Sequence, residues 1–137
     1  MRLYPEKLAA SLQSQLHPVY LISGDETLLV QECADQVRTA AREQGCTERT
    51  VLDASENGFR WEELLLDANS MSLFAERKLI ELRVPNGKFG TEGSKVLQAY
   101  FAQNGGDDVL LIVSGKIDRA STNSKWYKAI DAAGATI

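Results

Sequence analysis

Five consecutive apolar residues, Val109-Leu110-Leu111-Ile112-Val113, form the most strand-like stretch of this 137-residue chain. A second continuous apolar run, Val19-Tyr20-Leu21-Ile22, lies near the start. Continuous runs of this kind are typical of parallel strands that are covered on both faces. We therefore expect both runs to be central strands of one sheet.

Weaker strand patterns complete the sheet. Residues 49–53 (RTVLD) predict a short strand, and residues 135–137 predict the beginning of a fifth. Leu79–Val84 alternates apolar residues with Glu81 and Arg83, which predicts a strand nearer an edge of the sheet. Helical periodicity predicts five helices between and around these strands: Pro5–Leu16, about Asp25 to Glu43, a helix capped by Asn57 and ending at Ala68, Val96–Phe101, and Trp126–Ile130. In the second helix, Leu29, Cys33, Val37 and Ala40 or Ala41 are expected to face inward. A loop over Pro85–Gly93 precedes the fourth helix. The pattern predicts an α/β fold, a three-layer, doubly wound and mainly parallel sheet of about five strands.

The residue composition, the net charge and the number of cysteines limit the class of protein and the kinds of site that this chain can form. With 44% hydrophobic and 25% charged residues, residues 1–137 are expected to form one soluble domain, and the absence of an apolar signal core favours the cytoplasm. The net charge of −4 disfavours direct binding of nucleic acid phosphates. Two distant cysteines and one histidine, His17, leave too few ligands for a zinc site, and we expect Cys33 on a helix face and Cys46 in a loop.

A phosphate-binding loop is the first site to look for after the first strand of such a fold. The loop requires two glycines, a lysine and a hydroxyl at fixed spacing, whereas residues 23–29 read SGDETLL without a Gly-Lys pair. Asp25 and Glu26 are expected at the helix N-terminus, where carboxylates complement the helix dipole and repel a triphosphate. We expect neither nucleotide binding nor catalysis, and no cofactor.

The unusual segment is Ser70–Lys78 (SMSLFAERK), which places Met71, Leu73 and Phe74 between a helix and a strand. Connecting loops are normally polar, so these side chains need an explanation. They either plug the core of the domain or form an exposed apolar tip that enters a pocket on a partner protein. The residues themselves leave both interpretations open.

The chain resembles the delta subunit family of the bacterial DNA polymerase III clamp loader. The resemblance is carried by Leu3 and Leu8, by YLISGDETLLVQE at Tyr20–Glu32, by MSLFAERK at Met71–Lys78, by DDVLLIVSGKIDR at Asp107–Arg119, and by SKWYKAI at Ser124–Ile130. It implies a non-catalytic, AAA+-like N-terminal domain that has lost its phosphate loop. By the same resemblance, Met71, Ser72, Leu73 and Phe74 dock on the ring-shaped sliding clamp, the beta subunit, and open one interface, with Leu73 and Phe74 as anchors.

The resemblance also implies partners beyond the clamp. Family members carry a lid-like domain and a helical collar that join the other loader subunits, and neither is present in these 137 residues. DNA contact is expected to be indirect or weak, and no membrane contact is expected.

Three other interpretations stay open. A cluster of cations and aromatic residues could bind single-stranded nucleic acid, although an amphipathic helix with Trp126 and Ile130 buried is the favoured interpretation: Lys116, Arg119, Lys125, Trp126, Tyr127 and Lys128. A receiver-type signalling domain shares the β/α order, but the third strand ends Arg83-Val84-Pro85 without a phosphorylatable aspartate. A small nucleotide hydrolase is opposed by the missing phosphate loop.

Overall fold

The computed structural model describes residues 1–68, 77–103 and 108–137. Its five strands are β1 (Val19–Ser23), β2 (Cys46–Asp53), β3 (Arg77–Val84), β4 (Val109–Ser114) and β5 (Ala135–Thr136). Its helices are α1 (Pro5–Ser14), α2 (Thr27–Glu43), α3 (Glu62–Ala68), α4 (Gly90–Gln103) and α5 (Lys125–Ala133), with a short 3-10 turn at Ser121–Asn123. The predicted α/β alternation is confirmed.

The strands form one parallel sheet in the order β2-β3-β4-β1-β5. The apolar runs of β1 and β4 lie inside the sheet, as predicted, and β5 pairs with β1. This order differs from the 2-1-3-4-5 order of flavodoxin-like and receiver-type domains, so the receiver interpretation is wrong.

Two apolar cores cover the two faces of the sheet. On one face, α1 and α2 pack through Leu8, Leu12, Cys33 and Val37. On the other face, residues of α3, α4 and α5, including Leu64, Leu97 and Ile130, form the second core. The three-layer, doubly wound arrangement that the sequence predicts is therefore confirmed.

β3 lies next to the edge strand β2 and nearer an edge than β4, as predicted, but the alternation on which the prediction rested does not reflect exposure to solvent. β3 pairs with β2 on one side and β4 on the other. The alternation that suggested an exposed face comes from Glu81, which is 0% exposed. Its carboxylate is buried with arginine partners, and a buried ion cluster gives the same sequence pattern as a solvated face.

Smaller predictions are corrected at the ends of elements. Cys46 is not a loop residue, because β2 begins there and its side chain is buried. The inward stripe of α2 runs through Val30, Cys33, Ala34, Val37 and Ala41, whereas Leu29 is exposed. Within the described part of the chain, no helix has the length and apolarity to cross a membrane.

Candidate functional site

A crevice opens where the carboxyl ends of β1, β3 and β4 meet α2. Here β1 leads to α2 on one face of the sheet and the neighbouring β4 leads to α5 on the other face. Ligands of doubly wound folds bind at such a point. It has a volume of about 640 Å³ and is lined by twelve residues: Gly24, Asp25, Thr27, Val30, Gln31, Arg38, Arg83, Pro85, Val113, Ser114, Gly115 and Lys116. Asp25 therefore lies in the wall of the crevice, as the sequence predicts.

In the loops after β3 and β4, backbone N–H groups donate hydrogen bonds to a carbonyl within the protein. The N–H groups of Gly87 and Gly115 both donate to the carbonyl of Val84, at 2.9 and 3.0 Å. A side chain at Gly115 would bring its Cβ within 2.1 Å of the Pro85 carbonyl, so the two loops lie in direct contact. Among the described residues, Glu26 caps α2 without a side-chain hydrogen bond to the helix, so its carboxylate acts there through charge alone.

The basic and aromatic cluster near the C-terminus is an ordinary amphipathic helix surface. Trp126 is buried and stacks on Phe89 with ring centroids 4.1 Å apart, and Ile130 is buried one turn later. Lys125 and Lys128 point to solvent. The Trp126 ring is covered within the protein, which confirms the predicted helix and removes the stacking surface that a nucleobase would need.

The residues predicted to bind the clamp, Met71, Ser72, Leu73 and Phe74, lie outside the described residues. Their place in the chain is fixed by their neighbours: α3 ends at Ala68 and β3 begins at Arg77. The described start of β3 lies at the end of the sheet opposite the crevice. Leu66, on the last turn of α3, is 67% exposed.

A buried lysine joins the two elements that flank this segment. The Nζ of Lys78 donates to the Asp67 carbonyl and lies 3.8 Å from Asp67 Oδ2. The backbone N–H of Lys78 donates to Asp108 Oδ1 at 3.1 Å. We call Asp67, Lys78 and Asp108 the Lys78 cluster. Burial, with the carboxylates of Asp108 and Asp67, raises the pKa of the neighbouring Tyr100 hydroxyl to about 12.

A second buried charge, Glu81, lies in the middle of β3. Arg38 reaches it from α2 with two hydrogen bonds, 2.7 Å to Oε1 and 3.1 Å to Oε2. Arg49 and Arg83 approach the same carboxylate at 3.0 and 2.8 Å. Burial opposes ionisation, but the hydrogen bonds and charges of the arginines outweigh it and lower the pKa of the Glu81 carboxyl from 4.5 to about 2.

Sequence reasoning missed both clusters. Apart from Arg83, which is two residues from Glu81, the partners lie 11 to 43 residues away along the chain, so no local motif contains either cluster. The one available signal was a charged residue inside an apolar strand pattern, at Lys78 and Glu81. Within residues 1–68, 77–103 and 108–137, no group of three or more His, Cys, Asp or Glu side chains is arranged to hold a metal ion.

Comparisons with known proteins agree with the motifs. The family model described as DNA polymerase III, delta subunit, matches residues 20–137. The DNA polymerase III subunit delta of Escherichia coli (strain K12) is 36% identical over 132 residues, covering 95% of this chain and 38% of that protein. The subunit of the same name from Haemophilus influenzae is 26% identical over 126 residues, covering 92% of this chain and 36% of that protein. The chain thus spans less than two fifths of the length of these relatives.

Solved structures share the fold. The Bacillus subtilis DNA clamp loader delta protein superposes with a TM-score of 0.73 at 23% identity, covering 98% of this chain and 42% of that one. A DNA polymerase III gamma subunit-related protein from Thermotoga maritima gives a TM-score of 0.60 at 10% identity, covering 97% and 44%. At these identities the likeness shows a common architecture, and function has to be argued from the residues of this chain.

Proposed function

Because this chain belongs to the DNA polymerase III delta subunit family, we propose that it binds the sliding clamp through Met71, Ser72, Leu73 and Phe74 and opens the ring for loading onto DNA. The observation that carries the proposal is the apolar pair Leu73-Phe74 in a segment that connects α3 to β3. Apolar anchors that fill a pocket on the partner are the usual source of binding energy at protein interfaces.

The surroundings of the segment support a docking role. Its flanks are fixed by the Lys78 cluster, and the exposed Leu66 adds apolar surface on the last turn of α3. The crevice at the other end of the sheet has Asp25 in its wall, and the N–H groups of Gly87 and Gly115 are bonded within the protein. These features support a non-catalytic domain that acts by contact with a protein.

The wider assignment follows from family membership. We infer that residues 1–137 work as one N-terminal unit in the cytoplasm. The curated relatives are longer than this chain, which covers 38% and 36% of them, and we propose that the other loader subunits bind outside residues 1–137. The net charge of −4 supports DNA contact that is indirect or weak.

Replacement of both anchors tests the proposal. Fully burying each side chain contributes roughly 1.5–3 kcal/mol, so Leu73→Ser with Phe74→Ser should weaken clamp binding by about two to four orders of magnitude. Binding is measured by surface plasmon resonance with purified sliding clamp, and the melting temperature is measured beside it. The matched control is Leu28→Ser with Leu29→Ser, an exposed apolar pair at the start of α2.

The two interpretations of the segment give opposite results. A docking tip loses binding while the melting temperature stays within a few degrees of wild type. A core plug loses stability instead. If the double variant binds clamp within threefold of wild type, the proposal is wrong and another surface carries the partner.

A further inference from the structure

Lys78 is a buried lysine at the beginning of β3. Its side chain is 4% exposed, and its Nζ donates to the carbonyl of Asp67 on the last turn of α3. Removing an ammonium group from water is costly unless a partner compensates its charge. The Asp67 carboxylate, with Oδ2 at 3.8 Å, supplies that charge. The ion pair therefore joins the residue two positions before segment 69–76 to the residue two positions after it.

Two further contacts hold the start of β3. Asp108, just before β4, accepts the Lys78 N–H at 3.1 Å, and Arg77 Nη1 donates to the Gln44 carbonyl at 3.2 Å. The ends of the segment are thus tied to three parts of the fold: α3, the start of β4 and the turn between α2 and β2. Such ties fix where the chain leaves one element and enters the next.

Stability alone does not require a lysine at this position. Buried ion pairs are often no more stabilising than apolar residues of similar volume, and their best established use is to select one geometry among several. Here the geometry selected is the distance between α3 and β3. That distance is also the span of the segment that carries Leu73 and Phe74.

We propose that the Lys78 cluster positions the clamp-binding segment, with Lys78 as the positioning residue. The proposal rests on the proposed function of that segment. Holding both ends in place reduces the conformational freedom that binding must remove, and such preorganisation increases affinity. The cluster contributes through the segment and makes no contact of its own with the clamp.

The test compares four proteins: wild type, Lys78→Met, Lys78→Arg and the control Lys95→Met, which removes an exposed lysine on α4. Each is measured for clamp binding by surface plasmon resonance and for amide hydrogen exchange. We expect Lys78→Met to weaken clamp binding by about tenfold. Exchange should rise in peptides spanning 66–78 while β1 and β4 stay protected, because Asp67 loses its partner. Lys78→Arg should bind within threefold of wild type, and Lys95→Met should match wild type.

The outcomes separate this proposal from the one on which it rests. If wild type binds and Lys78→Met binds within twofold of it, positioning by Lys78 is wrong while clamp binding stands. If exchange rises equally in β1 and β4, Lys78 acts on global stability and positioning is again wrong. If wild type does not bind clamp, the proposed function fails and takes this proposal with it. Should Lys78→Met not fold, Asp108→Ala removes the acceptor of the Lys78 N–H and keeps the lysine in place, and unchanged affinity in that variant overturns the proposal.

Discussion

At the scale of single residues, the main stabilising charge is the buried Glu81 carboxylate. Three arginines from α2, β2 and β3 converge on it, and the bidentate contact with Arg38 fixes α2 against the sheet. Removing one partner of a buried ion pair leaves the other charge uncompensated. The resulting loss of stability is larger than the net stabilisation that the intact pair provides. Glu81 therefore matters more to folding than the half-exposed Arg49 and Arg83 do.

Glu81→Gln should lower the free energy of unfolding by roughly 3 kcal/mol at pH 7, the equivalent of the pKa lowering from 4.5 to about 2. The pKa is lower in the folded state, so the ionised carboxylate stabilises the fold above about pH 4.5. That contribution is lost as the pH falls from 4.5 towards 2. Urea unfolding of wild type and variant across this range should show the difference shrinking.

Two controls define the expected pattern. Glu56→Gln removes an exposed carboxylate and should change the unfolding free energy by less than about 0.5 kcal/mol. Arg49→Gln removes a half-exposed partner and should cost about 1 kcal/mol or less. A difference between wild type and Glu81→Gln that stays constant with pH would contradict the role assigned to the charge.

Among the secondary-structure elements, the loops after β3 and β4 are held against each other at the carboxyl ends of their strands. Val84 accepts hydrogen bonds from both Gly87 and Gly115, and Gly115 leaves no room for a side chain against the Pro85 carbonyl. A backbone carbonyl cannot move aside as a flexible side chain can. The close approach of the two loops therefore depends on glycine at position 115.

Gly115→Ala should destabilise the protein by roughly 3 kcal/mol, because the added Cβ would lie 2.1 Å from the Pro85 carbonyl oxygen. The matched variant is Gly90→Ala, where φ is +70° and nothing lies within 4 Å of the added Cβ. Gly90→Ala should lower the free energy of unfolding by about 1–2 kcal/mol, because its only cost is that of placing a non-glycine residue in the left-handed region. Thermal unfolding of both should rank Gly115→Ala as clearly less stable, and equal losses would disprove the steric argument.

The sequence predicts elements well where burial alone decides them. The apolar runs of β1 and β4 identify interior strands, because only residues covered on both faces need to be apolar throughout. The same reasoning fails at β3, since alternation does not distinguish an exposed glutamate from one that is buried among arginines. Except for Arg83, the partners of Glu81 and Lys78 lie at least 11 residues away along the chain, so both clusters needed the folded structure. The candidate segment 71–74 stays a prediction from its motif, because it lies outside the described residues.

At the scale of the whole molecule, the doubly wound order gives the sheet two different ends. The carboxyl ends of the strands border the crevice where this architecture usually holds a ligand. The Lys78 cluster and the exposed Leu66 lie near the amino end of β3, at the opposite end. In the crevice, Asp25 lies in the wall and the N–H groups of Gly87 and Gly115 donate to Val84. The features that favour partner binding and those that oppose nucleotide binding are thus at opposite ends.

ATP should bind to this protein no more tightly than about 1 mM, and the protein should not hydrolyse it. A phosphate loop needs backbone donors aimed at the ligand and a lysine that reaches the phosphates. Here residues 23–29 contain no lysine, and Asp25 adds a like charge. Isothermal titration calorimetry with Mg²⁺-ATP should give no binding heat for wild type or for Asp25→Asn with Glu26→Gln, because neutral side chains do not replace the missing lysine. Micromolar binding by wild type would overturn the prediction, and binding by the variant alone would show that repulsion from the two carboxylates was the whole obstacle.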